Sequence, residues 1–177
     1  MTDHKDIWIK MGYSIFALSG EAGLKVETIA RKVGISKSSF YHHFADLETF
    51  LEILLKFHLE QSKVIASKEM AVKTIDPELV DILVEHKIDV LFNRQLRIHQ
   101  EDARFLQTLL LSNQIMGNEF VKIWANDLKL NLTMQQFASL FELALENFYL
   151  QVNAENLNQA WLSAYFKRLK RIAQTFA

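Results

Sequence analysis

The chain has 177 residues, half of them hydrophobic and 23% charged, with a formal net charge of −1; this supports a packed core, in one domain or in a small domain joined to a medium one, and excludes wholesale disorder. Without cysteine, the chain can form no disulfide, thiolate nucleophile or cysteine zinc site. The polar start and the shortness of apolar runs such as Leu109-Leu110-Leu111 argue against a secretory leader and a membrane span, so the expectation is a soluble, cytoplasmic protein without membrane attachment.

One proline and five glycines argue for helices joined by short connections. Ile7, Trp8, Met11, Ile15 and Phe16 recur at helical spacing and predict a first helix over 5–19, closed by Gly20 and Gly23. Val26, Ile29, Ala30 and Val33 give 25–33 one apolar face; Gly34 stops that helix and Ile35 turns back to the core. Ser36 is placed to cap a short third helix, 36–43, by offering its hydroxyl to an orphan backbone N–H. Asp46 caps a long fourth helix, 47–70. Asp76-Pro77 restarts the chain as cap and first helical residue of a helix running to 94. Residues 102–115 and 118–129 read as two helices parted near Gly117, and Thr133–Gln136 as a capping box that opens a helix to about Val152. Asn156 is the expected cap of a last helix, 157–175. No strand pattern or repeat is present, so the expected class is all-α, with about nine helices.

The segment from Thr28 to Phe44 carries the most information. It is helix, a break centred on Gly34, and a short helix rich in small polar and hydrogen-bonding side chains. Gly34 supplies a backbone conformation that a Cβ opposes, Ala30 allows close approach, and Ile29, Val33, Ile35, Phe40 and Phe44 hold the unit together. Lys37, Ser38, Ser39, Tyr41 and His42 are left to face a major groove. The charge for this is local: four basic residues against one acidic between 25 and 43, with His42 and His43, while the first 57 residues balance.

Ile29-Ala30, Gly34-Ile35-Ser36 and Phe40-Tyr41-His42-His43-Phe44, followed by a long helix, resemble the TetR family of bacterial regulators over residues 7–51. The resemblance implies an N-terminal three-helix DNA-binding domain, 1–46, and a helical sensor and dimerisation domain, 47–177, connected through helix 47–70. It places Ser36, Lys37, Ser38, Ser39, Tyr41, His42 and His43 against DNA. Lys37, Ser38 and His42 are candidates for base contacts, and Tyr41 and His43 for phosphate contacts or for positioning the helix. Lys25 stands where the family usually has a phosphate-binding threonine. Three positions depart from the pattern: Ser38 replaces a frequent glycine, Leu47 replaces a phosphate-binding lysine, and the loop before the second helix is short.

Twelve of the twenty aromatics lie beyond residue 90. Most read as core. Phe105, Phe120, Trp124 and Phe148, with Asn113 and Asn147, are candidates for an effector pocket, which would be mainly apolar with a few polar groups. Leu140, Ala144 and Phe148 on one of the last two helices, and Trp161, Tyr165 and Arg168 on the other, are candidates for a homodimer interface, which the resemblance also implies. Adjacent residues on a helix point about 100° apart, so His42 and His43 are poor joint metal ligands. No activated nucleophile, phosphate-cradling loop or metal-ligand spacing is present, and neither an enzyme activity nor a cofactor is expected. The expected function is a DNA-binding, ligand-responsive repressor acting as a homodimer on a double-stranded operator, with a small apolar or amphipathic effector. The alternative is a helical interaction adaptor that keeps the helix-turn-helix as scaffold.

Overall fold

The computed structural model describes residues 4–129 and 132–175. Nine α-helices run in order among these residues: α1 (His4–Ser19), α2 (Val26–Val33), α3 (Lys37–His43), α4 (Leu47–Glu69), α5 (Val80–Glu85), α6 (Lys87–Ile98), α7 (Ala103–Leu128), α8 (Met134–Gln151) and α9 (Gln159–Thr175). A 3-10 turn at Glu21–Gly23 and a wide π-type turn at Ile75–Leu79 complete them, and no strand occurs among the described residues. The chain divides into two compact units: Met1–Ser62 with Ile88–Ser112, and Lys63–Lys87 with Asn113–Ala177.

An aromatic knot joins α1, α3 and α4 in the first unit. Phe40 is fully buried; its ring centre lies 5.4 Å from that of Trp8, 4.9 Å from Phe44 and 5.2 Å from Phe50. Burying each such ring contributes about 1.5–3 kcal/mol relative to leaving it in water. Gly12 lets α1 approach α4 here, because a Cβ at that position would collide with the Phe50 ring. Further along α1, Phe16 lies between Phe92 of α6 (4.4 Å) and Phe105 of α7 (5.6 Å).

Beside these rings runs a buried polar relay. Tyr13 Oη donates to Asp89 Oδ1 at 2.8 Å, so its oxygen is left to accept the Nδ1–H of His58 at 2.7 Å. Burial holds His58 neutral, with its pKa down at about 3. Burial, and then the charge and hydrogen bond of Asp89, push the Tyr13 phenol well above its ordinary value. His58 also stacks on Phe92 with ring centres 4.6 Å apart. The relay ties α1, α4 and α6 through groups that would each be costly to bury alone. At the start of α7, Arg104 meets Asp102 at 2.7 Å and Glu48 of α4 at 3.2 Å, with Glu21 4.0 Å away.

In the second unit, α8 and α9 are joined by Tyr165. Its ring stacks on Trp161 (5.2 Å) and meets Phe148 edge-on (5.6 Å), while its hydroxyl donates to the Ala144 carbonyl at 3.1 Å. Burial pushes Tyr165 up to about 12. Trp124 of α7 packs on Phe137 and Phe141 of α8. The opposite side of α8 is open: Leu143 and Leu150 are 69 and 79% exposed, Met134 at the first position of the helix is 84% exposed, and Phe148 is the single buried residue of that helix.

Several expectations from the sequence are corrected. Residues 103–128 form one helix that passes straight through Gly117, where a Cβ would meet nothing within 4 Å; one glycine costs a long amphipathic helix only about 1 kcal/mol. The helix expected from Pro77 to 94 is broken at His86 (φ −95°, ψ 30°) into α5 and α6. Asp76 keeps extended backbone and does not cap. Instead Glu78 accepts the backbone N–H groups of Lys73 and Thr74. Ser36 occupies the cap position of α3, but its hydroxyl bonds Ser38 Oγ rather than a backbone N–H. Asn158, not Asn156, caps α9, accepting the Trp161 N–H at 3.0 Å. Asp46, accepting the Thr49 N–H, and the Thr133–Gln136 capping box hold as expected.

Candidate nucleic-acid interface

The geometry of α2 and α3 follows from Gly34. Its backbone is left-handed (φ 73°, ψ 25°), and its N–H and that of Ile35 both return to the Ala30 carbonyl. The space around it is empty, so the position requires the conformation rather than the absence of a side chain. Phe40 and Phe44 then anchor α3 inward, 100° per residue fixes the rest, and Lys37, Ser38, Tyr41 and His42 point outward, all exposed. Tyr41 is 59% exposed and rests edge-on against Phe40 at 5.3 Å. Ser39 and His43 are half-buried, with the His43 ring beside Phe44 at 6.0 Å. Ser36 is exposed at the cap of α3, and Lys25 is exposed at the cap of α2. Arg31 and Lys32 in the last turn of α2 are exposed as well.

Leu47, where a lysine would reach for phosphate, is half-buried at the start of α4. Lys37 is engaged already: Nζ lies 2.8 Å from the Glu27 carboxylate. The hydrogen bond between them lowers the Glu27 pKa and raises that of Lys37. This partner was missed from the sequence because Glu27 is ten residues away and reads as an ordinary solvated charge on α2.

The candidate effector residues separate. Phe105 is buried against Phe16 in the first unit, whereas Phe120, Trp124 and Phe148 belong to the aromatic packing of the second, with Phe120 5.6 Å from Phe141. Asn113 is half-buried, and Asn147 is exposed, accepting from Gln151 at 2.6 Å and from the Tyr165 hydroxyl at 3.2 Å. Of the candidate dimer residues, Phe148 and Tyr165 are buried within the chain, Leu140, Ala144 and Trp161 are half-exposed, and Arg168 is exposed over the Tyr165 ring. Leu150 and Met134, among the most exposed apolar side chains of α8, escaped the sequence reading because they stand outside the helical face chosen there. Among the described residues no cluster of three or more histidines and carboxylates could hold a metal, and no helix is long and apolar enough to cross a membrane.

Two helices crossing at a left-handed glycine, with the second presenting an exposed polar face over an aromatic anchor, define a helix-turn-helix protein. Residues 9–52 match the family described as bacterial regulatory proteins, tetR family. The match covers the N-terminal quarter of the chain and identifies it as a DNA-binding region of the TetR type, found in transcriptional regulators and not in enzymes. The chain is similar to the HTH-type transcriptional regulator YerO of Bacillus subtilis, 26% identical over 122 residues covering 69% of this chain and 40% of that protein. It is also similar to IcaR of Staphylococcus aureus, a negative transcriptional regulator of the biofilm operon icaADBC, 24% identical over 159 residues covering 84% of each chain. Among solved structures, a protein from Rhodococcus sp. described as a TetR-family transcriptional regulator shares the fold with a TM-score of 0.59 at 18% identity, over 99% of this chain and 98% of that one. A protein from Mesorhizobium loti, described in the same way, does so with a TM-score of 0.54 at 16% identity, over 97% and 95%.

Proposed function

We propose that this protein is a cytoplasmic, homodimeric repressor whose two heads, residues 1–46 of each chain, enter successive major grooves of a double-stranded operator. The observation that carries this reading is the exposed row Lys37, Ser38, Tyr41 and His42 on a helix locked from behind by Phe40 and Phe44. Lys37, Ser38 and His42 read base edges, while Lys25, Ser36, Ser39, Tyr41 and His43 hold phosphates or the helix itself. A dimer doubles a footprint that one short helix grips weakly. The exposed Leu143 and Leu150 support a partner on α8, with Leu140, Ala144, Trp161 and Arg168 beside them. Residues 47–177 bind a small apolar or amphipathic effector, among Asn113, Phe120, Trp124, Asn147 and Phe148 of the second unit. The effector releases DNA to the extent that it binds the DNA-free geometry more tightly. The repression recorded in the name of IcaR supports the sign of regulation.

The test is fluorescence anisotropy against DNA flanking the coding region and against genomic fragments selected by binding, with scrambled competitor and a salt series. Saturation at two chains per site, with a salt slope of several ions, is the expected result. Tyr41→Ala should weaken that binding about tenfold or more while leaving the fold intact. Binding that competitor abolishes on every fragment, with Tyr41→Ala no different from wild type, would establish the interaction-adaptor reading instead.

A further inference from the structure

We propose that the homodimer is cross-paired: its two-fold axis runs along α8 and α9, so that the acidic, leucine-bearing face of α8 lies on the basic face of α9 of a second copy of the chain. The proposal rests on the homodimer reading above and specifies which helix meets which. The charges of α8 are Glu142 and Glu146, with no lysine or arginine; those of α9 are Lys167, Arg168, Lys170 and Arg171, with no carboxylate. Glu142 and Glu146 are exposed beside Leu143 and Leu150, and Arg168 and Arg171 are exposed beside Ala164 and Ile172. Two of the four cations are committed within the chain, Lys170 to Asp127 at 3.0 Å and Lys167 to Asp76 at 3.9 Å. Arg168 donates to the neutral Gln151 side chain at 2.9 Å. Neither Arg171 nor Glu142 forms an ion pair with any described residue. Adjacent helices thus present charges of opposite sign that their own chain leaves unmatched, around apolar side chains that it leaves uncovered.

Symmetry turns this pattern into a choice between two packings. α8 and α9 lie side by side and antiparallel: Phe148 meets Trp161 near their connection, and further from it the Tyr165 hydroxyl reaches the Ala144 carbonyl. Such a pair, laid face to face on its copy, has two arrangements with a two-fold axis in the plane of contact. An axis across the helices sets α8 on α8 and α9 on α9, so that carboxylates face carboxylates and guanidinium groups face guanidinium groups. An axis along the helices sets α8 on the partner's α9, twice over. It brings opposite charges together at both contacts and still covers Leu143 and Leu150. Like-charge juxtaposition weighs against the first packing and leaves the second.

The experiment measures dimer dissociation by sedimentation for wild type, Glu142→Lys, Arg171→Glu and the double variant, at low and high salt. Both side chains are exposed and unpaired within the chain, so the variants should keep the fold, which circular dichroism checks. Each single reversal should weaken the dimer about ten- to thirtyfold at low salt, because it turns attraction into repulsion at two symmetry-related contacts. The loss should fade at high salt. Glu142→Gln, which only deletes the charge, should fall between wild type and Glu142→Lys. The double variant has opposite signs again and should return to within about threefold of wild type. In a dimer with α8 on α8, a single reversal only exchanges one like pair for another and leaves dissociation where it was. Unchanged dissociation in the single variants, or a double variant weaker than either of them, would overturn the proposal while leaving the homodimer standing. A wild type that sediments as a monomer at every concentration would overturn both.

Discussion

The core of the first unit and the outer side of α8 put apolar residues to opposite uses. Around Phe40, Trp8, Phe44 and Phe50 leave almost no apolar surface to water, and nearby the Tyr13 hydroxyl, Asp89 and His58 Nδ1 are paired in a relay, while His58 Nε2 and Trp8 Nε1 stay buried without a hydrogen-bond partner. On α8 the large residues Met134, Leu143 and Leu150 lie in solvent with no intrachain partner to cover them. The first arrangement fixes one orientation of a small reading helix. The second leaves surface for something else to bury. The difference teaches that the same residue types report stability in one place and association in the other, and that exposure decides which.

The comparison can be broken most severely at Phe40. Phe40→Ala should cost about 3–5 kcal/mol in urea unfolding, and a loss below 1 kcal/mol would mean that the knot does not anchor α3. Next comes pH. His58 has a folded pKa of about 3 against about 6.5 in the unfolded chain. The unfolded state therefore binds the proton more tightly, and stability is retained above pH 6.5 and lost as pH falls from there toward 3. The loss from this group should reach about 2–3 kcal/mol by pH 4.5, and unfolding curves for His58→Phe should show a visibly flatter acid limb than those for wild type. Equal slopes would show that the ring is not held neutral.

Gly34→Ala should cost about 1–2 kcal/mol, seen as a lower Tm without rearrangement, since the space for a methyl is open. The smallest stability effect is expected at Leu143. Leu143→Lys should shift unfolding of the isolated chain by less than about 0.5 kcal/mol, yet sedimentation should show the proposed dimer giving way to monomer. A dimer that persists would move the partner off this face of α8.

How far the sequence disclosed all this depends on range. The head was legible because its signals are local: a glycine with φ 73° between two apolar periodicities, and Phe40 and Phe44 one turn apart. The relay was not. Its members are separated by 45 and 76 residues, and each sits in a helix whose apolar pattern explains itself without it. The break at His86 carries no glycine or proline to announce it, whereas Gly117 announces a break that the helix does not make. Arg104 drew no reading from the sequence, because a clamp on Asp102 and Glu48 is visible only once α4 and α7 are in place. The same limit hid Glu27.

The two sides of α3 are also separable in evolutionary terms. Phe40 and Phe44 carry the fold, while Lys37, Ser38 and His42 contact nothing in the knot. If these three side chains read DNA as proposed, a lineage can exchange them, and with them the DNA word, without re-solving the folding problem each time. Tyr41 is the exception, because it touches Phe40. Drift in target sequence should run fastest at 37, 38 and 42 and stall at 41, which makes the head an interchangeable reader on a fixed mount.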